Sequence, residues 1–161
     1  MILLSPIMMI CAGNMCRSPF AEYYMRLRLQ EAGVEAEWFS RGLLTMLGRK
    51  VPSTAYKVAM DFGVDMSAHV SQTLLAPDVD RAALIMVMEQ GQRQHFSKMR
   101  PASIGKVFLL SQAMGGKKVR DPMGKNEAYF HDVYAEITQM LDAWLQRFGA
   151  LASRCKSVLM L

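Results

Sequence analysis

Cysteine is scarce in this chain, with only Cys11, Cys16 and Cys155 among 161 residues. An odd count without regular spacing excludes the disulfide framework of a small secreted domain and points to reduced thiols in a cytoplasmic setting. Paired Cys/His spacings are missing as well, so no metal site is expected. No apolar run approaches the roughly 20 residues needed to span a bilayer, and no membrane insertion is expected. The N-terminal MILLSPIMMI is apolar, but it has no basic leader, is interrupted by Pro6 and offers no small residue just before Cys11 for cleavage or lipidation. It therefore reads as a buried strand and not as an export signal. A net charge of +5 and a pI near 9.3 suit an anionic partner or simply a solvated surface. Because no dense Lys/Arg block and no aromatic sheet motif accompanies that charge, nucleic acid is not an expected partner. Internal repeats, low-complexity segments and linkers are also lacking.

What is present is enough apolar material for a sizeable core: 52% of residues are hydrophobic and 20% charged, the balance of a globular chain. A length near that of one typical domain predicts a single domain over residues 1–161, with a tail from about 152 that packs loosely. Strands are expected at Ile7–Ile10, Ala36–Ser40, Ala82–Met88 and Lys106–Leu110, the last two as continuous apolar runs of the kind a parallel sheet buries on both faces. Between them, SPFAEYYMRLRLQEAG predicts a helix with Ser18 as N-cap, Pro19 at its first position and Gly33 as its stop. A second helix is expected around Thr54–Phe62. A turn and short helix are expected in FGVDMSAHVSQTL, and a polar helix before Pro101. From about Asn126, Val133, Ile137, Met140, Leu141, Trp144, Phe148 and Leu151 form a stripe at three- and four-residue steps, which is core. Alternating strands and helices imply an α/β fold with a parallel sheet covered on both faces. Ligands of such sheets bind at the carboxyl ends of the strands, where the loop after the first strand lies.

That loop is CAGNMCRSP, residues 11–19. It sets Cys11 and Arg17 between a strand end and a helix N-terminus with five residues separating them. Successive backbone N–H groups there can turn inward as an anion cradle, reinforced by the helix dipole. Gly13 and Asn14 tolerate the left-handed backbone that a tight cradle requires, and the Arg17 fork can grip two phosphate oxygens. A thiol at the bottom of such a cradle ionises readily and becomes a nucleophile toward the phosphorus held above it. Expelling an alkoxide or phenoxide calls for an acid on the opposite side, and RDPMG offers Asp121 in a loop after the fourth strand, with Pro122 holding it extended and Gly124 freeing the turn.

CAGNMCRSP with the downstream RDPMG resembles the low-molecular-weight protein tyrosine phosphatases, and SRG at Ser40 and SAHVSQTL at Ser67 fall where that family has comparable segments. The resemblance implies a three-layer α/β sandwich of flavodoxin-like topology, a four-stranded parallel sheet flanked by helices. It implies hydrolysis of phosphotyrosine in a protein substrate through a phospho-cysteine, with inorganic phosphate as product and no cofactor. Cys11 would be the nucleophile, Arg17 the phosphate clamp and Asp121 the acid and then the base. Ala12, Gly13, Asn14, Met15, Cys16 and Ser18 would form the phosphate-binding loop, Ser18 would donate to the thiolate, and Asn14, Ser40 and His69 would hold the loop in shape. Cys16 matches the family's second loop cysteine, which forms a reversible disulfide with the nucleophile.

Two positions depart from the family pattern. Met123 stands where the acid loop often has tyrosine, and Met46 where the variable loop often carries an aromatic, which makes the expected pocket walls thioethers. In this the chain is most similar to the bacterial subgroup encoded with capsule or exopolysaccharide genes, whose substrates are autophosphorylated tyrosine kinases. An arsenate reductase on the same fold would need relay cysteines near the helix after the third strand, and MVMEQGQRQHFSKMR has none. A phosphotyrosine-binding module without activity is disfavoured by the joint presence of Cys11, Arg17 and Asp121. GLLTMLGRK imitates a nucleotide-binding loop but has five residues between its glycines and Arg before Lys, so it is set aside. His95 and His131 are expected on solvated faces, and Cys155 has no assigned role.

Overall fold

The computed structural model describes residues 4–44 and 47–159, with side chains as far as residue 149 of the last helix. Met46, the expected pocket-wall residue, and the side chains of the tail from 152 lie outside the described residues. The chain runs β1 (Ile7–Cys11), α1 (Arg17–Glu31), β2 (Trp38–Gly42), α2 (Ser53–Asp61), α3 (Ala76–Arg81), β3 (Leu84–Val87), α4 (Gln90–Met99), β4 (Val107–Leu109) and α5 (Glu127–Leu159), with 3₁₀ turns at Pro101–Lys106 and Leu110–Met114. The four strands form one parallel sheet in the order β2-β1-β3-β4. The expected flavodoxin-like sandwich is thus present, with β1 and β3 adjacent at its centre.

Strand alternation divides the β1 side chains between two cores. Met8 and Ile10 pack with Phe39, Val79, Phe96 and Val107 on the α3/α4 side. Ile7, Met9 and Cys11 face Phe20, Met25, Val133 and Ile137 on the α1/α5 side. All five β1 residues are buried, which is why the run is apolar throughout instead of alternating. The stripe predicted for the last helix is buried from Val133 to Trp144, and the Trp144 indole N–H donates to the Leu110 carbonyl at 2.7 Å.

Several predicted boundaries move. The second strand sits at 38–42 instead of 36–40, and the third and fourth are shorter than their apolar runs, because Ala82 and Met88 are buried without belonging to the ladder. Periodicity reports burial, whereas strand limits follow hydrogen bonding. The short helix expected in FGVDMSAHVSQTL begins only at Ala76, and the segment before it is turn and extended chain. Ser18 is not an N-cap. The helix starts at Arg17 with Cys16 at the cap position, and no side chain caps it. The Ser18 hydroxyl is engaged elsewhere, and Pro19 is accommodated in the first turn, where N–H groups lack helical partners in any case. Gly33, at φ 65, does end α1 as predicted.

Phe20, fully buried, stacks on Tyr134 at 3.9 Å and 5° and meets Phe62 edge-on at 5.6 Å, so it clamps α1 against α5 directly behind the Cys11 loop. Phe20→Ala is expected to lower unfolding free energy by about 3–5 kcal/mol through lost burial and an aromatic-sized void, measured by urea denaturation. A loss below about 1 kcal/mol would show that the clamp contributes little.

Candidate active site

At the carboxyl end of β1 the chain turns sharply, and residues 12–16 wrap the Cys11 thiol before α1 begins. The turn requires Asn14 to adopt φ 52, the sole left-handed backbone of a non-glycine residue among the described residues. Gly13, the other residue expected to supply this freedom, does not need it. It is not in the left-handed region, and a Cβ built there would meet open space.

Asn14 is held by five hydrogen bonds. Its backbone N–H donates to Cys11 Sγ at 3.2 Å, and its side-chain amide donates at 2.9 Å to both Ser18 Oγ and Ser40 Oγ. Its Oδ1 accepts the Gln72 N–H at 2.9 Å, and this fixes which way the amide points. The Asn14 carbonyl accepts from His69 Nε2 at 2.8 Å. Since a carbonyl can only accept, Nε2 carries the proton, and burial lowers the His69 pKa, which keeps the ring neutral. Ser18 Oγ lies 2.9 Å from Cys11 Sγ. Ser18, Ser40 and His69, named from the resemblance, thus converge on Asn14 and Cys11, and Cys11, Asn14, Ser18, Ser40 and His69 are all buried.

Arg17 is buried despite its charge, and its neighbours show why it can be. Its Nη1 donates to the Val119 carbonyl at 3.0 Å, and Nη2 lies 3.6 Å from Asp121 Oδ2. The guanidinium therefore spans from the loop to the segment bearing Asp121. That segment is anchored in turn by Val119, fully buried with its N–H on the Met88 carbonyl at 2.9 Å. Asp121 itself keeps a side-chain exposure of 51%, so it reaches the opening while remaining tethered. The hollow so framed measures about 230 Å³ and is lined by Cys11, Gly13, Met15, Arg17, Asp121 and, on its apolar walls, Leu44 and Met123. Ala12 and Cys16 complete its floor. Cys16 is a free, buried thiol whose pKa is pushed up to about 12, first by burial, then by Cys11 and Asp121, against the pull of Arg17. It therefore stays protonated.

Sequence reasoning missed three supporting residues. Val119 and Tyr134, whose O–H donates to the Cys16 carbonyl at 2.9 Å, reach the loop from 102 and 118 residues away and leave no local signal. Glu22 did leave one. Ser18, Glu22 and Arg26 recur every four residues and so share one face of α1 with the loop.

A thiol seated at the end of a parallel strand, wrapped by the loop that opens a helix and faced by a buried guanidinium, defines a class, the cysteine-dependent phosphatases. The assignment narrows further, because residues 6–154 match the family described as low molecular weight phosphotyrosine protein phosphatase, and the chain belongs to that family. It is similar to the probable low molecular weight protein-tyrosine-phosphatase EpsP of Ralstonia nicotianae, at 34% identity over 92% of this chain and 99% of the relative. Among solved structures it resembles Vibrio vulnificus Wzb in complex with benzylphosphonate, with TM-score 0.83 and 28% identity over 89% of this chain and 99% of the other. It also resembles the YwlE arginine phosphatase of Geobacillus stearothermophilus, with TM-score 0.83 and 25% identity over 92% and 95%. The described residues contain no helix long and apolar enough to cross a membrane.

The left-handed backbone and the polar contacts of Asn14 separate experimentally. Asn14→Gly loses only the side-chain contacts, whereas Asn14→Ala also forces a Cβ into the left-handed region, at about 1–2 kcal/mol. The alanine variant is therefore expected to be the less stable of the two by about 1 kcal/mol in urea denaturation. Equal stabilities would show that the conformation costs nothing.

Proposed function

We propose that the protein hydrolyses phosphotyrosine in protein substrates, with Cys11 as nucleophile, Arg17 as phosphate clamp and Asp121 as general acid and then base. The observation that carries this is the Cys11 thiol itself, buried at the strand end with Ser18 and the Asn14 N–H against its sulfur while Arg17 ties the same loop to Asp121. In the first step the Cys11 thiolate attacks phosphorus, an S–P bond forms and the P–O bond to the ring breaks. Arg17 and the loop N–H groups from Ala12 to Ser18 carry the charge of the equatorial oxygens. Asp121 gives its proton to the departing phenolic oxygen. In the second step the Asp121 carboxylate takes a proton from water, the water oxygen bonds to phosphorus, and the S–P bond breaks to return the thiolate and inorganic phosphate.

The apolar walls supplied by Leu44 and Met123 suit an aromatic ring better than a guanidinium, whose N–H donors would find Asp121 as the one carboxylate among the described lining residues. The benzylphosphonate held by the similar Vibrio protein has the same build, a ring linked to a phosphonate. We read residues 1–161 as one such domain, working in the cytoplasm where thiols stay reduced. The resemblance to the capsule and exopolysaccharide subgroup points to an autophosphorylated tyrosine kinase as its substrate.

Cys16 sits in the same loop as Cys11 and offers a guard against overoxidation. Peroxide converts the Cys11 thiolate to a sulfenic acid, and the Cys16 thiol condenses with it, forming the S–S bond and releasing water. Because Cys16 is held protonated, closure is expected to be slow.

Wild-type protein is expected to cleave a phosphotyrosine peptide in excess EDTA, faster than a phosphoarginine peptide, and Cys11→Ser to abolish turnover. Asp121→Asn should slow cleavage of poor leaving groups by about 10²–10⁴-fold. A Cys11→Ser variant that retains turnover, or a preference for phosphoarginine, would overturn this function. After peroxide treatment, dithiothreitol is expected to restore wild-type activity but not that of Cys16→Ser; equal recovery would remove the guard role.

A further inference from the structure

We propose that Glu22 is a positioning residue for the Cys11 thiolate, its carboxylate taking the Ser40 proton and so holding Ser40 as an acceptor for Asn14, whose amide donates in turn to Ser18. The proposal rests on Cys11 being the nucleophile, as set out above. The direction of each bond follows from donor and acceptor counting. Gln72 N–H occupies Asn14 Oδ1, so the two Asn14 amide protons go to Ser40 Oγ and Ser18 Oγ, each at 2.9 Å. Ser40 Oγ already accepts from Asn14, and its own proton goes to Glu22 Oε2 at 2.5 Å. Ser18 Oγ likewise accepts from Asn14, which leaves its proton to point at Cys11 Sγ, 2.9 Å away. A thiolate can only accept, so the bonds diverge from the Asn14 amide, one branch ending on the Glu22 carboxylate through Ser40 and the other on Cys11 Sγ through Ser18.

The Ser40 branch keeps this order while Glu22 Oε2 accepts the Ser40 proton and Oε1 faces Arg26. Glu22 is a buried residue of α1, and burial raises its pKa, whereas the Ser40 hydroxyl, Arg26 and Arg41 all favour the charged form. Arg26, one turn on, pairs with Glu22 Oε1 at 2.6 Å and also donates to the Trp38 carbonyl. Tyr23 and Arg26 on α1, Arg41 on β2, and His69 from the segment before α3 are the titratable and charged groups around it. With glutamine in place of glutamate, the amide oxygen would turn to Arg26 and the amide nitrogen to Ser40. The Ser40 proton would then lose its acceptor, and Ser40 would no longer be held firmly for Asn14.

The test reads Cys11 directly. Its rate of alkylation by iodoacetamide is followed against pH by mass spectrometry of the Cys11 peptide, in parallel with kcat and KM on a phosphotyrosine peptide. Glu22→Gln is expected to move the acid limb of the alkylation profile to higher pH by about one unit, and to lower kcat about tenfold with little change in KM. Glu31→Gln, which removes an exposed charge from the same helix, is expected to leave the limb in place. Ser40→Ala should give the same shift as Glu22→Gln, and the double variant no more than either alone. Glu22→Asp keeps the charge one carbon further from Ser40 and should give a smaller shift in the same direction, which supplies the measurement if Glu22→Gln fails to fold. A limb at the wild-type position in either Glu22 variant, additive shifts in the double variant, or an equal shift in Glu31→Gln would each overturn the proposal. Retained turnover in Cys11→Ser would instead strike the phosphatase reading, and the alkylation profile separates the two failures because it needs no turnover.

Discussion

The site depends on one residue held in one unusual backbone conformation. Asn14 turns the chain at φ 52, and that turn lets the Asn14 N–H meet the sulfur of Cys11. A left-handed residue other than glycine is disfavoured, and here the surrounding contacts over-determine it. The side-chain amide ties Ser18 to Ser40, Gln72 fixes its orientation, and His69 holds the carbonyl. Asparagine fits where glycine would not, because glycine supplies the conformation but none of the side-chain bonds to Ser18, Ser40 and Gln72.

Around this junction the molecule is arranged so that stability and chemistry share elements. Phe20 on α1 stacks on Tyr134 of α5, and the same Tyr134 donates to the Cys16 carbonyl, so the aromatic core and the loop are joined through one side chain. Arg17 does for the other rim what Tyr134 does for the floor, binding the Val119 carbonyl and facing Asp121. The acid proposed to protonate the leaving group therefore stands on a segment pinned at Val119 yet exposed at its tip. That combination suits a group that must meet a bulky protein substrate and still return to the same place.

Much of the fold was legible because its signals are local. The apolar run of β1, the Gly33 stop of α1 and the stripe of α5 each report their own burial within a few turns of chain. The errors share one cause. Ser18 looks like a helix cap because serine is a good one, but its hydroxyl is taken by Cys11 and Asn14. Gly13 looks like the residue that turns the loop because glycine turns most easily, but the bonds that reward the turn belong to Asn14. In both cases the hydrogen bonds of the folded loop override a residue's general preference.

The sequence by itself determined the chemistry on offer. A cysteine and an arginine with five residues between them at a strand–helix junction, with an Asp-Pro far downstream, point to a thiol-based phosphate site, because the geometry of a strand–loop–helix turn is a local matter. Only the tertiary structure decided how that site is held and directed. Val119 and Tyr134 reach it across the fold, and whether a hydroxyl donates or accepts depends on every other partner in its chain of bonds. Pattern and spacing do not contain that information, since contacts between distant segments exist only once the sheet has brought them together.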